Sequence, residues 1–190
     1  MPRTKKRPAP ESAWADPRNL ALVLVFVVLA SVALFLDRER AIAHVAGFPL
    51  DDSWIHAVFA RNVASGQGFS FNPGERVAGS TAPLYTLLLA LLYKITGEFV
   101  WTEKILGVLC QAASAVLIFL TMLAWDPKAR VRAFLAAAIV ALSPPLLWAA
   151  LSGMEIPVYL LLVCLGLYFR AKDRPILMTL FWAIGVWVRP

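Results

Sequence analysis

Apolar runs of membrane length, separated by short charged clusters, constrain this chain more than any other feature. Residues 19–36 carry no charged side chain, and at about 1.5 Å per residue a helix of that length just crosses the ~30 Å hydrocarbon core of a bilayer. In lipid, every backbone N–H and C=O must be satisfied within the segment, so such a run folds as a helix. Residues 102–125 and 133–151 read as further spans, while 83–97, 156–169 and 176–188 are shorter apolar segments. With 60% hydrophobic residues, the chain is expected to be an all-α polytopic transmembrane protein. Its net charge of +6 does not point to nucleic acid, because the basic residues lie in short clusters between spans, the pattern of membrane orientation signals. Cys110 and Cys164 fall within apolar segments without metal-ligand or paired spacing, which makes them packing residues.

The order of clusters and spans gives the expected organisation. Residues 1–18 form a basic tail with Arg3, Lys5, Lys6, Arg7 and Arg18, held in the cytoplasm, and 19–36 is the first transmembrane helix. Ala41-Ile42-Ala43 has the composition of a signal-peptide cleavage site, but the long tail and the charged stretch 37–40 speak for a retained span. Residues 37–102 are an extracytoplasmic loop with interfacial or re-entrant helices, and 103–190 are further transmembrane helices. The segment 83–97 fixes the sidedness of the rest of the chain. If it does not cross, the basic clusters after 125 and after 169 are both cytoplasmic, as the positive-inside rule requires. The turn around Glu155 then opens on the same side as Asp51 and Asp52. The chain stops at Arg189-Pro190 within an unfinished span, which reads as the N-terminal part of a longer protein.

Residues 50–84 are the one long polar stretch. Trp54, Ile55, Val58, Phe59 and Val63 place most apolar side chains on about half of a helix, Ser65, Gly66 and Gly68 end it, and Asn72-Pro73-Gly74-Glu75 has the composition of a tight turn. Asp51 and Asp52 open that helix. One carboxylate there is an N-cap; a second needs another reason. Glu155 lies between two apolar segments, where an ionisable side chain is costly and a functional candidate, or else reaches interfacial water beside a proline-led helix start. His56 is a further candidate base or metal partner, on the same face as Asp52. Trp54, Phe59, Phe69 and Phe71 read as interfacial anchors.

An acidic site at the membrane surface suits chemistry on lipid-linked substrates. For sugar transfer from a lipid phosphate, a carboxylate acts as general base on the acceptor hydroxyl or holds a divalent cation against the phosphate, and arginines stabilise the departing phosphate. Asp51, Asp52 and Glu155 supply the first kind of group, with Asp51 and Asp52 the potential metal ligands; Arg61, Arg76 and Arg189 supply the second.

Taken together, Asp51-Asp52 after the first span, the stretch ARNVASGQGFSFNPGERVAGSTAPL at 60–84, and Gly153-Met154-Glu155-Ile156-Pro157 resemble the GT-C membrane glycosyltransferases. The likeness is greatest to the branch with terminal arabinofuranosyltransferases and lipopolysaccharide-core sugar transferases, and more distant to protein mannosyltransferases. The resemblance implies a polyprenyl-phosphate-linked sugar as donor and a glycan, lipid or protein as acceptor. It also implies an acidic catalytic motif in the first external loop, with Asp51 as its base, and a second acid in the next loop, here Glu155. The expected location is a bacterial inner membrane with the active site outside the cytoplasm. The competing expectation is a non-catalytic membrane subunit or transporter fragment whose acids are caps or ion-path residues; in transporters, however, such charges sit near the midplane in broken helices, not at span ends.

Overall fold

The computed structural model describes residues 16–77 and 79–189, which form eight helices and no strand beyond one isolated bridge. The tail cations Arg3, Lys5, Lys6 and Arg7 lie outside the described residues. Helix α1, Pro17–Ala43, starts where Asp16 Oδ1 accepts the Arg18 N–H at 2.8 Å and Pro17 takes the first helical position. At 27 residues it outruns the apolar stretch by two turns. The charged residues 37–40 stay helical, and Glu39 on that extension has a buried partner, Lys104.

Two helices are long and apolar enough to cross a membrane, α1 and α4, Val100–Trp125; a third span is available if the bent pair α5, Arg130–Leu142, and α6, Pro144–Leu151, counts as one. The segment 133–151, expected as a span, is bent by 50° between α5 and α6. Pro144 and Pro145 have no N–H to give the preceding turn, and Pro144 drives Ser143 into an extended conformation with ψ 112°. Helices α7, Ile156–Ala171, and α8, Pro175–Val188, close the chain.

The first core surrounds α4. Leu24, Val28 and Val32 of α1 meet Ala115 and Phe119 of α4, and Ala133, Ala137 and Ala141 form a smooth row on α5 that lets the helices approach. Gly107 of α4 touches the Ala150 carbonyl of α6 so closely that any Cβ there would collide with it. A second, smaller core joins Ala60 of α2, Asp51–Ala64, to Tyr85 and Leu89 of α3, Pro83–Thr96, and to Val188 of α8.

Helix α3 has 14 residues, about 21 Å, which is short of a bilayer core. Both its ends meet the start of α4: the Tyr85 hydroxyl lies 3.3 Å from Glu103 Oε2, and the Thr102 and Thr96 hydroxyls pair at 3.0 Å. A helix running the length of α4 would separate those contacts by about three turns. So α3 lies across one end of the bundle, where α1 ends, α4 begins and Arg189 follows α8.

Candidate functional site

The loop after α2 is folded onto that helix by one side chain. Asn62 donates through Nδ2 to the Ser70 and Phe71 carbonyls at 2.8 and 2.9 Å, and the Asn72–Glu75 turn closes with a 3.1 Å backbone hydrogen bond. The inner face of α2 carries Ser53, His56, Ala57, Phe59 and Ala60, at the three-and-four spacing of a buried stripe. Phe59, expected as an interfacial anchor, is instead 1% exposed and packs on Phe69 and Phe71, with ring centroids 5.5 and 6.0 Å away. Trp54 is half-exposed and leans on Phe48.

Asp51 and Asp52 occupy the first two helical positions of α2, both exposed. Capping does not explain either one. The N-cap residue is Leu50, and no side chain caps this helix, because Asp51 already has helical geometry; the acids retain only a favourable charge at the helix start. Among the described residues no three His, Cys, Asp or Glu side chains come together to hold a metal ion, so Asp51 and Asp52 form no protein-built cation cage.

His56, one turn further, faces inward and is 2% exposed while Asp52 is exposed, which corrects the expectation that the two share a face. Its Nε2 lies 3.5 Å from Glu155 Oε2, and its Nδ1 lies 3.4 Å from the Ser80 hydroxyl. Ser80 in turn pairs with Thr86 Oγ1 at 2.7 Å, and the Tyr85 ring stands edge-on to the imidazole. Glu155 is 4% exposed and does not reach interfacial water; its other oxygen takes a short hydrogen bond from Arg189, whose side chain is half-exposed. Burial pushes the Glu155 carboxyl up, but His56, the residue's own backbone N–H and the Arg189 charge together outweigh it and hold the group below the ordinary carboxylate range.

The turn that presents Glu155 is gripped from three helices. Ser53 donates to the Ser152 carbonyl at 2.6 Å, Tyr85 donates to the Gly153 carbonyl at 3.1 Å, and Glu103 of α4 packs beneath Gly153, whose φ of 79° suits glycine. In the sequence, Glu103 and Lys104 read as no more than the start of a span. Two ionisable residues inside that run were the signal for them. Ser53 and Tyr85 carried no comparable mark. Of the expected arginines only Arg189 joins the cluster; Arg61 and Arg76 are exposed, on α2 and on the loop after it.

Beside the cluster, past Phe48, a cavity of about 480 Å³ opens between the end of α1, the segment before α2, and Trp148 and Leu151 of α6. Its wall is apolar apart from Arg38 and the Lys104–Glu39 pair. No protein-family model, curated protein or solved structure matches this chain. The site therefore stands on its own geometry.

Proposed function

We propose that this chain is a glycosyltransferase component of a bacterial inner membrane that moves a sugar from a polyprenyl-phosphate donor to an acceptor hydroxyl outside the cytoplasm. The observation that carries the reading is the concentration of acids at one end of an apolar helical bundle: Asp51 and Asp52 in water at its edge, and Glu155 with His56 and Arg189 within. A lipid-linked donor presents its phosphate and sugar at that depth, and the neighbouring apolar cavity suits a prenyl chain.

The reaction needs a proton acceptor for the attacking hydroxyl and positive charge for the departing phosphate. This end of the bundle offers two acceptors, the exposed aspartates and the Glu155–His56 pair, and Arg189 for the phosphate. Donor or acceptor hydroxyls hydrogen-bond the exposed carboxylates, and a charged hydrogen bond of that kind contributes about 1.5–3 kcal/mol.

The test is transfer from radiolabelled polyprenyl-phosphate-linked arabinose or mannose by the protein in liposomes. Replacing both acids, Asp51→Asn with Asp52→Asn, is expected to lower transfer about ten- to a hundredfold per inserted molecule. Unchanged transfer would refute the assignment of these acids to the site.

A further inference from the structure

We propose that His56, reached through the Ser80 hydroxyl and oriented by Glu155, takes the acceptor's proton in this reaction; the proposal rests on the glycosyl-transfer reading. Three residues widely separated in sequence are brought into one line by three different elements: Ser80 from the loop before α3, His56 from α2, and Glu155 from the turn between α6 and α7. Each step of the line has a direction. A carboxylate can only accept, so the Glu155 oxygen facing Nε2 favours the tautomer that carries its proton there. That leaves the Nδ1 lone pair facing the Ser80 hydroxyl, 3.4 Å away.

Burial decides how a substrate reaches the base. The imidazole is 2% exposed, so a sugar hydroxyl cannot touch Nδ1 without displacing what covers it. Ser80 is only half-buried and can meet solvent and imidazole together. Thr86 Oγ1 lies 2.7 Å from Ser80 Oγ and 3.1 Å from the Ala82 carbonyl; when its one proton is turned to Ser80 Oγ, it holds that oxygen in place and leaves the Ser80 proton for Nδ1. The exposed aspartates lack this arrangement. Among the described residues no hydrogen bond or ion pair orients them, and no imidazole stands behind them to take a proton.

In the transfer step the acceptor oxygen bonds to the anomeric carbon as the bond from that carbon to the phosphate oxygen breaks, and the broken bond's electron pair leaves with the phosphate. The acceptor's proton passes to Ser80 Oγ while the Ser80 proton passes to His56 Nδ1, and the imidazolium is stabilised by Glu155. The contacts of 3.4 and 3.5 Å are longer than formed hydrogen bonds, and relays of this kind tighten when substrate arrives. Arg189, drawn toward the departing phosphate, would release Glu155 to the imidazolium at the moment the proton arrives.

The experiment measures transfer from the same two radiolabelled donors, per molecule of inserted protein, for wild type, His56→Gln, Ser80→Ala and Ser80→Thr. His56→Gln is expected to lose about 10²- to 10⁴-fold, the range for loss of general base catalysis. Ser80→Ala should lose a comparable amount, and Ser80→Thr, which keeps the hydroxyl, should recover most of it. A Ser80 that only held the loop through Thr86 and the Ala82 N–H would lower the amount of folded protein in Ser80→Ala and leave transfer per inserted molecule near wild type. The pH dependence supplies a second reading: the titratable and charged groups facing the imidazole are Glu155 from the turn and Tyr85 from α3, with Arg189 behind Glu155. The pH profile of transfer by wild type should differ in shape from that of His56→Gln and be kept in the double aspartate variant. If wild type transfers sugar and His56→Gln transfers equally well, the relay is wrong and the glycosyltransferase reading survives. If wild type transfers neither sugar, that reading fails and the relay falls with it.

Discussion

The contact between Lys104 and Glu39 allows an asymmetric prediction. The ammonium donates to both carboxylate oxygens at 2.6 and 2.7 Å, tying the end of α1 to the start of α4 at the same end as the acidic cluster. The two partners are not equally buried: the Lys104 side chain is 2% exposed and that of Glu39 25%. Glu39→Gln therefore strands a cation that water cannot reach, a change that costs about 3–5 kcal/mol for a buried pair. It also weakens the acceptor for the Gly47 N–H, 3.4 Å from Glu39 Oε1, which steadies the approach to α2. Lys104→Met leaves a carboxylate already open to water, and the methionine chain fills much of the lysine stem's volume. About 1–2 kcal/mol is expected from the lost hydrogen bonds. The difference of about 2 kcal/mol is roughly thirtyfold in the folding equilibrium. Replacing both, Glu39→Leu with Lys104→Met, should return the protein to within about 1 kcal/mol of wild type, because a buried ion pair is often matched by apolar side chains of similar size. Unfolding in mixed detergent micelles, followed by tryptophan fluorescence with Trp148 close to the pair, gives all the values. Equal losses in the two single variants, or a greater loss in Lys104→Met, would show that burial of the ammonium does not govern this contact.

Two further measurements address sidedness and the buried carboxylate. Ser65 and Lys172 are both exposed, at opposite ends of the bundle, so in a background lacking Cys110 and Cys164 a cysteine at 65 should react with a membrane-impermeant thiol reagent in intact cells and one at 172 should not; the reverse pattern would invert the orientation. Glu155 has a folded pKa below its unfolded value, so the stability it contributes is present above the unfolded pKa and is lost as pH falls through the folded one. Thermal stability of wild type should fall more steeply below about pH 4.5 than that of Glu155→Gln; parallel curves would show that Glu155 is not held by His56 and Arg189.

Much of the helix pattern was legible because it is written locally. The apolar length of 19–36, the half-apolar periodicity of α2, the glycines after it and the Asn-Pro-Gly-Glu turn each depend on residues within a few positions of one another. Two boundaries differ from the sequence reading, for opposite reasons. Polarity ends the reading of α1 too early at Leu36, because a salt bridge to a residue 65 positions away keeps 37–40 helical. Apolarity then carries the helix through Ser143, where the proline pair breaks it. The site was legible as a set of residue types and not as a constellation. Asp51, Asp52, His56, Glu155 and Arg189 were all marked by their chemistry, yet nothing local tells that Glu155 and His56 meet while Asp52 does not join them. That depends on which face of α2 packs inward, and it is decided by Ala57, Phe59 and Ala60 against α3 and the loop.

The clasp on the turn at 152–155 bears on how much rearrangement a reaction at Glu155 would require. A carboxylate on a free loop has to be brought to its place anew for each substrate, and its surrounding dipoles must turn with it, which adds to the barrier. Here the carbonyls of Ser152 and Gly153 are already taken by Ser53 and Tyr85, so the loop's dipoles point in fixed directions before any ligand binds. In the proposed transfer, charge that develops on the neighbouring imidazole would then meet a field set during folding, with little reorganisation energy left to supply. The rigidity has a counterpart in selectivity: with those two carbonyls committed, the turn has fewer groups with which to adapt to a differently shaped substrate. Variation in what is accepted is expected to arise in the exposed first turn of α2 and the loop at 65–82.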